Sequence, residues 1–195
     1  MSAHSLTIHD LMPPAQYAQE RAVLKKRISV IKKRRRVEVG PFITFYFESY
    51  DTMWLQVQEM LHIERGGMEQ AIDEVAAYAP LVPNGRELVA TFMIEIDEAA
   101  RRARELARLG AIEDTTFLKF GPHRIIGLPE NDQDRTTADG KASSVQFVHF
   151  PFTTEQIGTF SQAGAEVLLG LDHTHYRHMT IFPEEIREEL TKDFT

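Results

Sequence analysis

The stretch VEVGPFITFYFE, residues 37–48, decides the fold class that the sequence predicts. It is rich in β-branched and aromatic residues, which favour the pleated, half-buried surface of a strand. Apolar residues occupy both faces of this run, as is typical of a strand that is covered on both sides. Gly40 and Pro41 interrupt the run and predict a bulge or bend. We therefore predict a central strand here, in a sheet on which the helices pack.

Helix and strand patterns are intermixed on either side of this stretch. Apolar residues at three- and four-residue intervals predict an N-terminal helix that opens at the Pro13–Pro14 pair. Further helices are predicted at 51–65, 68–78 and 98–109, after Thr153 and after Pro183, and further strands at 88–96, 115–120, 124–128, 144–152 and 167–171, with a polar loop at 131–141. Because regular βαβ alternation is missing, we predict an α+β fold with a mostly antiparallel sheet, helices packed on it and a basic N-terminal helix.

Length and composition are those of an ordinary globular protein. With 195 residues, 43% of them apolar and 26% charged, the chain can bury a substantial core. We expect a single domain, 1–195, in which a basic N-terminal helix (13–36) packs on an α+β core (37–195). No apolar run approaches the roughly 20 residues that cross a bilayer, and the N-terminus lacks the features of a secretory signal. We therefore expect a cytoplasmic protein without membrane insertion.

The sequence contains no cysteine. Disulfides, thiolate nucleophiles and Cys-ligated zinc or iron–sulfur centres are therefore excluded. The sequence leaves the cofactor open, because a metal bound through histidine and carboxylate side chains remains compatible with this composition.

A basic segment, KKRISVIKKRRR at 25–36, contains eight cations and no acid. The other 14 Lys and Arg residues are set against 29 acids, so positive charge is concentrated here although the chain carries a net charge of −7. On a helix, Ile28 and Ile31 face the core while the cations point to the flanks and to solvent. The candidate residues for binding an anion or a partner are Lys32, Lys33, Arg34, Arg35 and Arg36.

Three interpretations of the basic segment remain open. It can be a solvated helix face that neutralises the acidic remainder of the molecule. It can also be a surface for an acidic protein partner, or a site for nucleic acid or a phosphorylated ligand. No nucleic-acid-binding motif accompanies the segment, and neither GxxxxGK[ST] nor GxGxxG is present. Nucleic acid is therefore the less favoured partner.

Two glutamates on the predicted helix 51–65 are catalytic candidates. Glu59 and His62 have the Glu-x-x-His spacing that di-iron bundles use, but only one such pair is present where two are needed. Glu59 also lies roughly opposite the apolar residue Val57, which argues against a di-iron site. Glu64 falls on the apolar side, where a carboxylate needs an arginine partner or an escape to solvent at the helix end.

A histidine-rich segment, DHTHYRH at 172–178, follows a predicted strand. Imidazoles bind zinc, iron or copper and carboxylates complete such sites, so Asp172, His173 and His178 are metal candidates. Alternatively, His173 or His178 acts as a general acid or base near neutral pH, with Tyr176 and Arg177 as hydrogen-bond donors to an anionic substrate. The plainest interpretation is a turn whose polar side chains cap backbone groups.

Six blocks carry a family resemblance in this order: KKRRRVEVGP, FYFES, MWLQVQEMLHIER, ATFMIEI, SSVQFVHF and GLDHTHYRH. Together they resemble a bacterial family known as domain of unknown function 3501, from Leu6 to about Leu190. The VGP and QEMLxIER blocks make the resemblance specific. The residues that match the family pattern are Arg35, Arg36, Gly40, Pro41, Glu48, Gln58, Glu59, Glu64, Arg65, Asp172, His173, Tyr176 and Arg177.

The resemblance also implies a cellular setting. Members of the family are associated with genes for rubrerythrin-like and iron–sulfur oxidoreductase proteins, which implies a role beside peroxide defence or electron transfer. His62, His149 and His175 depart from the family pattern. These departures weaken both the Glu59–His62 pair and a three-histidine site as metal ligands.

Three functions follow as hypotheses. The leading one is an accessory or binding protein of a redox or peroxide stress-response system, with an acidic protein of that system as its partner. The alternative is a small enzyme or metal-dependent protein that uses a Glu/His/Arg pocket. The third is nucleic-acid or phosphate binding through the basic helix. A shared pocket requires that Arg36, Glu59 and His173 lie close together in space.

Overall fold

The computed structural model describes residues 4–130 and 141–195, so the polar loop predicted at 131–141 lies, apart from Lys141, outside the described residues. Within them the α-helices are α1 Pro14–Lys33, α2 Tyr50–Glu64, α3 Gly67–Tyr78, α4 Ala99–Arg108, α5 Thr154–Phe160 and α6 Glu184–Leu190. The strands are β1 Arg36–Val39, β2 Ile43–Phe47, β3 Glu87–Ile94, β4 Thr116–Phe120, β5 His123–Ile126, β6 Leu128–Pro129, β7 Val145–Pro151, β8 Val167–His173 and β9 Tyr176–Ile181. Short 3₁₀ helices lie at Ile8–Asp10, Ala79–Leu81, Ile112–Thr115 and Thr191–Phe194.

The strands form two antiparallel sheets. The first has the order β1-β2-β3-β7-β6 and the second the order β5-β4-β8-β9. Apolar residues of both sheets belong to one buried core, which includes Phe45 and Phe92 of the first sheet and Leu118 and Leu169 of the second. The predicted α+β class and the antiparallel pairing are confirmed, although the strands divide into two sheets.

A second core lies beneath the N-terminal helices. Tyr17 and Ile28 of α1 pack there with Trp54 and Val57 of α2 and with Val89 of β3. The basic helix is therefore held by its apolar side, as the spacing of its apolar residues predicts. Among the described residues, no helix has the length and apolar character that a membrane span requires.

The stretch 37–48 forms a hairpin, and the prediction of one central strand is wrong. β1 and β2 are antiparallel, with Val39 opposite Ile43 and with Gly40 and Pro41 in the turn between them. Gly40 has a φ of +72°, a left-handed conformation that glycine adopts readily. The chain therefore reverses where the sequence predicts only a bend, which leaves β2 inside the first sheet and β1 at its edge.

The histidine-rich segment also forms a hairpin. β8 continues to His173 and β9 begins at Tyr176, so the predicted turn is short and a further strand follows it. The sequence does not predict β9, because its apolar and polar residues do not alternate in the usual way, with apolar side chains inward and polar ones outward. Met179 and Ile181 are exposed, whereas His178 lies on the inner face beside buried Tyr176.

We expect Gly40→Ala to destabilise the protein more than Gly164→Ala does. Both glycines have positive φ, so an alanine costs about 1–2 kcal/mol for the left-handed conformation at either position. A Cβ at Gly40 would also lie 2.6 Å from atoms of Tyr176 and His178, whereas one at Gly164 meets nothing within 4 Å. Moving those side chains adds about 1–3 kcal/mol. Denaturant titration measures the difference, and equal losses would contradict the close packing of this turn on β9.

Candidate anion-binding site on the basic helix

The basic segment does not stay on one helix. α1 ends at Lys33, Arg34 is its C-cap, and Arg36 is the first residue of β1. The prediction of a helix that continues to residue 36 is therefore wrong for residues 34–36. The prediction that the cations face solvent is wrong for Arg35, whereas Arg34 and Arg36 are exposed. Arg35 explains the change of direction, because its side chain turns into the protein interior.

Arg35 is only 2% exposed. Its guanidinium donates to the backbone oxygens of Phe47 at 3.0 Å and Glu48 at 2.7 Å, and it forms an ion pair with Asp193. Glu189 lies 3.7 Å away. A buried cation with these acceptors ties the junction of α1 and β1 to the C-terminal end of the chain. Arg35 is thus a structural residue and is removed from the anion-binding candidates.

Lys32, Lys33 and Arg36 nevertheless converge around one surface depression, which we call the basic pocket. Its volume is about 290 Å³. The residues that line it are Lys25, Ser29, Lys32, Lys33, Arg36, Tyr46 and Leu55. Its four cations come from α1 and from the start of β1, so the pocket depends on the side-by-side packing of helix and strand. Arg34 is exposed and does not line it.

Lys32 and Lys33 are the charges of the basic pocket that remain free. Both are exposed, and neither forms an ion pair within the part of the chain that the structure describes. Lys25 and Arg36, by contrast, are each paired with a carboxylate, at 2.9 Å and 2.8 Å. Because an unpaired ammonium group is available to an external anion, the two free lysines give the pocket its capacity to bind one.

Tyr46 supplies a neutral hydroxyl beside these lysines. Its hydroxyl donates to Glu95 at 2.8 Å. Burial and the hydrogen bond to Glu95 raise the pKa of Tyr46, so the hydroxyl stays protonated at neutral pH. Tyr46 therefore adds no negative charge to the pocket.

Glu59 lies between α1 and α2. Its carboxylate accepts hydrogen bonds from Tyr17 at 2.6 Å, from Arg21 at 2.7 Å and 2.8 Å, and from Lys25 at 2.9 Å. The hydrogen bonds from Arg21, together with those from Tyr17 and Lys25, outweigh burial and lower the pKa of Glu59 to about 2. A carboxylate that is so well stabilised as an anion is a weak base, and the contacts of Glu59 are those of a link between two helices.

Glu64 lies at the C-terminal end of α2 and is exposed, as the sequence allows for a carboxylate at a helix end. Its Oε2 accepts a hydrogen bond from Gln70 at 2.8 Å, so its neighbour is an amide and not an arginine. Glu64 and Glu59 have no hydrogen-bond partner in common. The two glutamates therefore do not form a catalytic pair.

The β8–β9 hairpin separates Asp172 from the two histidine candidates. Asp172 and His173 are neighbours on β8, so their side chains point to opposite faces of the sheet. Asp172 pairs with Arg177 at 2.8 Å, whereas His178 lies on the face that packs under the β1–β2 turn. In residues 4–130 and 141–195, no group of three or more His, Asp or Glu residues could hold a metal ion. The described structure therefore does not bring Asp172, His173 and His178 together as one set of metal ligands.

Both ring nitrogens of His173 interact with the backbone. Nδ1 accepts from the amide of His175 at 3.1 Å, and Nε2 donates to the carbonyl of Gly110 at 3.2 Å. These bonds leave neither ring nitrogen of His173 free for a metal or for proton transfer. The geometry supports the interpretation of a turn whose side chains cap backbone groups.

Tyr176 and His178 connect the two sheets. The Tyr176 hydroxyl donates to the carbonyl of Val39 at 2.7 Å and accepts from the amide of Phe42 at 3.3 Å. The His178 ring centroid lies 4.5 Å from that of Tyr176. Both residues thus hold the second sheet against the β1–β2 turn, and neither lines the basic pocket.

Arg36, Glu59 and His173 do not form one site. Arg36 lines the basic pocket, Glu59 lies between α1 and α2, and His173 lies in the second sheet beside Gly110. The Glu/His/Arg pocket considered from the sequence is therefore not formed.

Comparison with known proteins identifies the family. The family model described as "Protein of unknown function (DUF3501)" matches residues 5–194. The chain belongs to the DUF3501 family. A crystal structure of a protein from Burkholderia pseudomallei K96243, titled a novel protein of unknown function, is similar, with 32% sequence identity and a TM-score of 0.90. The similarity covers 98% of this chain and 100% of that chain, and no curated protein sequence matches.

Four lining residues of the basic pocket in this DUF3501 protein are not among the binding residues predicted from the sequence: Lys25, Ser29, Tyr46 and Leu55. Lys25 and Ser29 could have been found, because their spacing from Lys33 places them on one face of α1. Tyr46 could not, since it reaches the pocket by pairing with Arg36 across the β1–β2 hairpin. The hairpin is the feature that the sequence does not predict.

His149 is a further residue whose environment the sequence does not reveal. Its Nδ1 lies 3.0 Å from Glu87 and its Nε2 2.7 Å from Glu130. Burial alone would lower the pKa of His149. The hydrogen bonds to these two carboxylates outweigh burial and raise this pKa above its ordinary value. His149 lies in the predicted strand 144–152, and nothing in that segment indicates that both of its hydrogen-bond partners are acids.

We expect the contribution of His149 to stability to fall as pH rises. Since its folded-state pKa is raised, the stabilisation is complete below the unfolded-state pKa of about 6.5 and is lost as pH passes the higher folded-state value. The free energy of unfolding of wild type minus that of His149→Gln should therefore shrink as pH rises above about 6.5. The exposed His9→Gln variant is the control. A difference that is constant or grows with pH would contradict the paired imidazole.

Proposed function

We propose that this DUF3501 protein is a non-catalytic binding protein that docks an acidic protein partner at the basic pocket. The observation that carries the proposal is the pair of free, exposed lysines, Lys32 and Lys33, beside a depression of about 290 Å³. A carboxylate of the partner placed there would lie beside the two free lysines, and a depression shields such an ion pair from solvent better than a flat surface does.

A non-catalytic role is supported by the surroundings of the catalytic candidates. The acid candidates hold structural contacts, with Glu59 linking two helices and Glu64 bonded to Gln70. The hairpin candidates do the same, since His173 caps backbone groups and Tyr176 bonds to Val39. Residues that are fully used in such contacts are poorly placed to act on a substrate.

A protein partner is favoured over nucleic acid by the apolar residues beside the cations. Val23 and Val30 of α1 are 73% and 52% exposed. Exposed aliphatic side chains on the helix that carries the free lysines suit a partner that has both carboxylates and apolar side chains. Outside 25–36 the chain has 29 acids and 14 bases, so a long polyanion would be repelled beyond the pocket.

The family resemblance supports a cytoplasmic redox or peroxide stress-response system as the source of the partner. Because the chain has no cysteine, it cannot exchange thiols or hold a Cys-ligated cluster itself. An accessory role beside the oxidoreductases of such a system is consistent with this composition.

Reversal of charge at the two free lysines tests the proposal. We expect the double variant Lys32→Glu, Lys33→Glu to bind a glutamate-rich peptide about tenfold more weakly than wild type, because two attractions become repulsions. The matched control is Lys26→Glu, Arg34→Glu, which changes the net charge equally on exposed residues outside the pocket. Fluorescence anisotropy of a labelled peptide measures the affinities, and circular dichroism verifies that both variants fold.

The outcomes separate the candidate ligands. A loss confined to the pocket variant, with weak competition by pyrophosphate and by duplex DNA, supports an acidic protein partner. An equal loss in both variants would show that general charge, and not the pocket, binds the peptide. Tighter binding to DNA than to the peptide, with an affinity that falls steeply with salt, would replace the protein partner by nucleic acid.

A further inference from the structure

An apolar cavity of about 600 Å³ lies where the start of α1, the end of α2 and α3 meet. Its volume falls within the range of small-molecule sites, which are mostly apolar and contain a few polar groups. The apolar residues of its lining include Leu11, Met12, Pro14, Leu61, Met68 and Ala71. None of the residues of the basic pocket lines this cavity, so it is a separate site.

Gln58 is the polar group that gives the cavity its chemical character. It is 2% exposed, it lines the cavity, and its amide nitrogen Nε2 is completely buried without a hydrogen-bond partner. Buried amide groups in folded proteins are nearly always paired. Because the amide nitrogen has no accessible surface in this structure, the Gln58 side chain must turn toward the cavity for the acceptor of a ligand to complete this unpaired donor.

The cavity is closed at one end and accessible at the other. Tyr17 and Ala71 are buried, at 1% and 6% exposure, whereas Met68 is 68% exposed. Arg65 is also exposed and is the lining residue that carries a permanent charge. The exposed rim, which includes Pro14, Ala18 and Met68, therefore provides an entry, and the unbranched Met68 side chain can move without disturbing the core.

We propose that the apolar cavity binds a small apolar molecule that carries a carbonyl group, with the carbonyl oxygen accepting a hydrogen bond from Gln58. A pure hydrocarbon would leave Gln58 unpaired. A carboxylate at the buried end would lose its hydration without a cation beside it, because Arg65 lies at the exposed end. A neutral ketone, ester or quinone satisfies the amide and the apolar walls together.

Prodan, an apolar naphthalene ketone, is a suitable probe. Its emission moves to shorter wavelength in apolar surroundings, so binding is read directly. A second signal comes from Trp54, the only tryptophan of the chain, whose ring lies 6.2 Å from that of the cavity residue Tyr17. Bound prodan should therefore quench Trp54 emission by energy transfer, and this signal requires no variant.

Two pairs of proteins test the cavity and its donor. Ala71→Trp fills the cavity and should abolish prodan binding, whereas Ala76→Trp adds the same side chain at an exposed position of α3 and should not. Gln58→Leu removes the donor and should weaken prodan binding roughly three- to tenfold. Ethylnaphthalene, which has no carbonyl, should compete equally well in wild type and in Gln58→Leu.

Several results would overturn the proposal. Wild-type protein that neither shifts prodan emission nor shows Trp54 quenching has no such site. Equal binding by Ala71→Trp and Ala76→Trp would place the probe elsewhere, and unchanged prodan affinity in Gln58→Leu would exclude the amide contact. A wild-type dimer that Ala71→Trp converts to monomer, without prodan binding, would identify a second copy of the chain as the occupant.

Discussion

The buried ion pair between Arg35 and Asp193 is the interaction on which the arrangement of the N-terminal half depends. It joins residues 158 positions apart and fixes the chain where α1 passes into β1. Loss of one partner of a buried pair costs about 3–5 kcal/mol, since the other charge is left uncompensated. Because Arg35 points inward, Arg36 emerges on β1 opposite Tyr46 and beside the lysines of α1. The basic pocket thus forms because Arg35 is buried while the neighbouring cations stay at the surface.

Local sequence patterns predict most helices and strands well. They predict poorly where a side chain points and where the chain reverses. The α+β class and the limits of most helices follow from apolar spacing and from capping residues. The inward direction of Arg35 does not, since five consecutive cations look alike until the position of Asp193 is known. Gly40 and Pro41 are equally ambiguous, because a bulge and a reversal use the same residues. The pairing of Val39 with Ile43 decides for the reversal.

The histidine-rich hairpin shows why residue type alone is a poor guide to chemistry. Asp172, His173 and His178 have the composition of a metal site, but strand alternation puts Asp172 on the opposite face from His173. The backbone then occupies both nitrogens of His173. A sequence shows which side chains are able to bind a metal or carry a proton, and the fold determines whether their nitrogens are free to do so.

Glu59 connects the basic pocket and the apolar cavity. One of its oxygens accepts from Lys25, which lines the pocket, and the other accepts from Tyr17, which lines the cavity. An anion in the pocket would compete with Glu59 for the ammonium group of Lys25 and so change the charge balance around the residue that holds Tyr17. Any such effect must act equally in the reverse direction, because a coupling free energy between two binding sites is reciprocal. The packing of α1 on α2 therefore does more than support each site, since it places one carboxylate in contact with both.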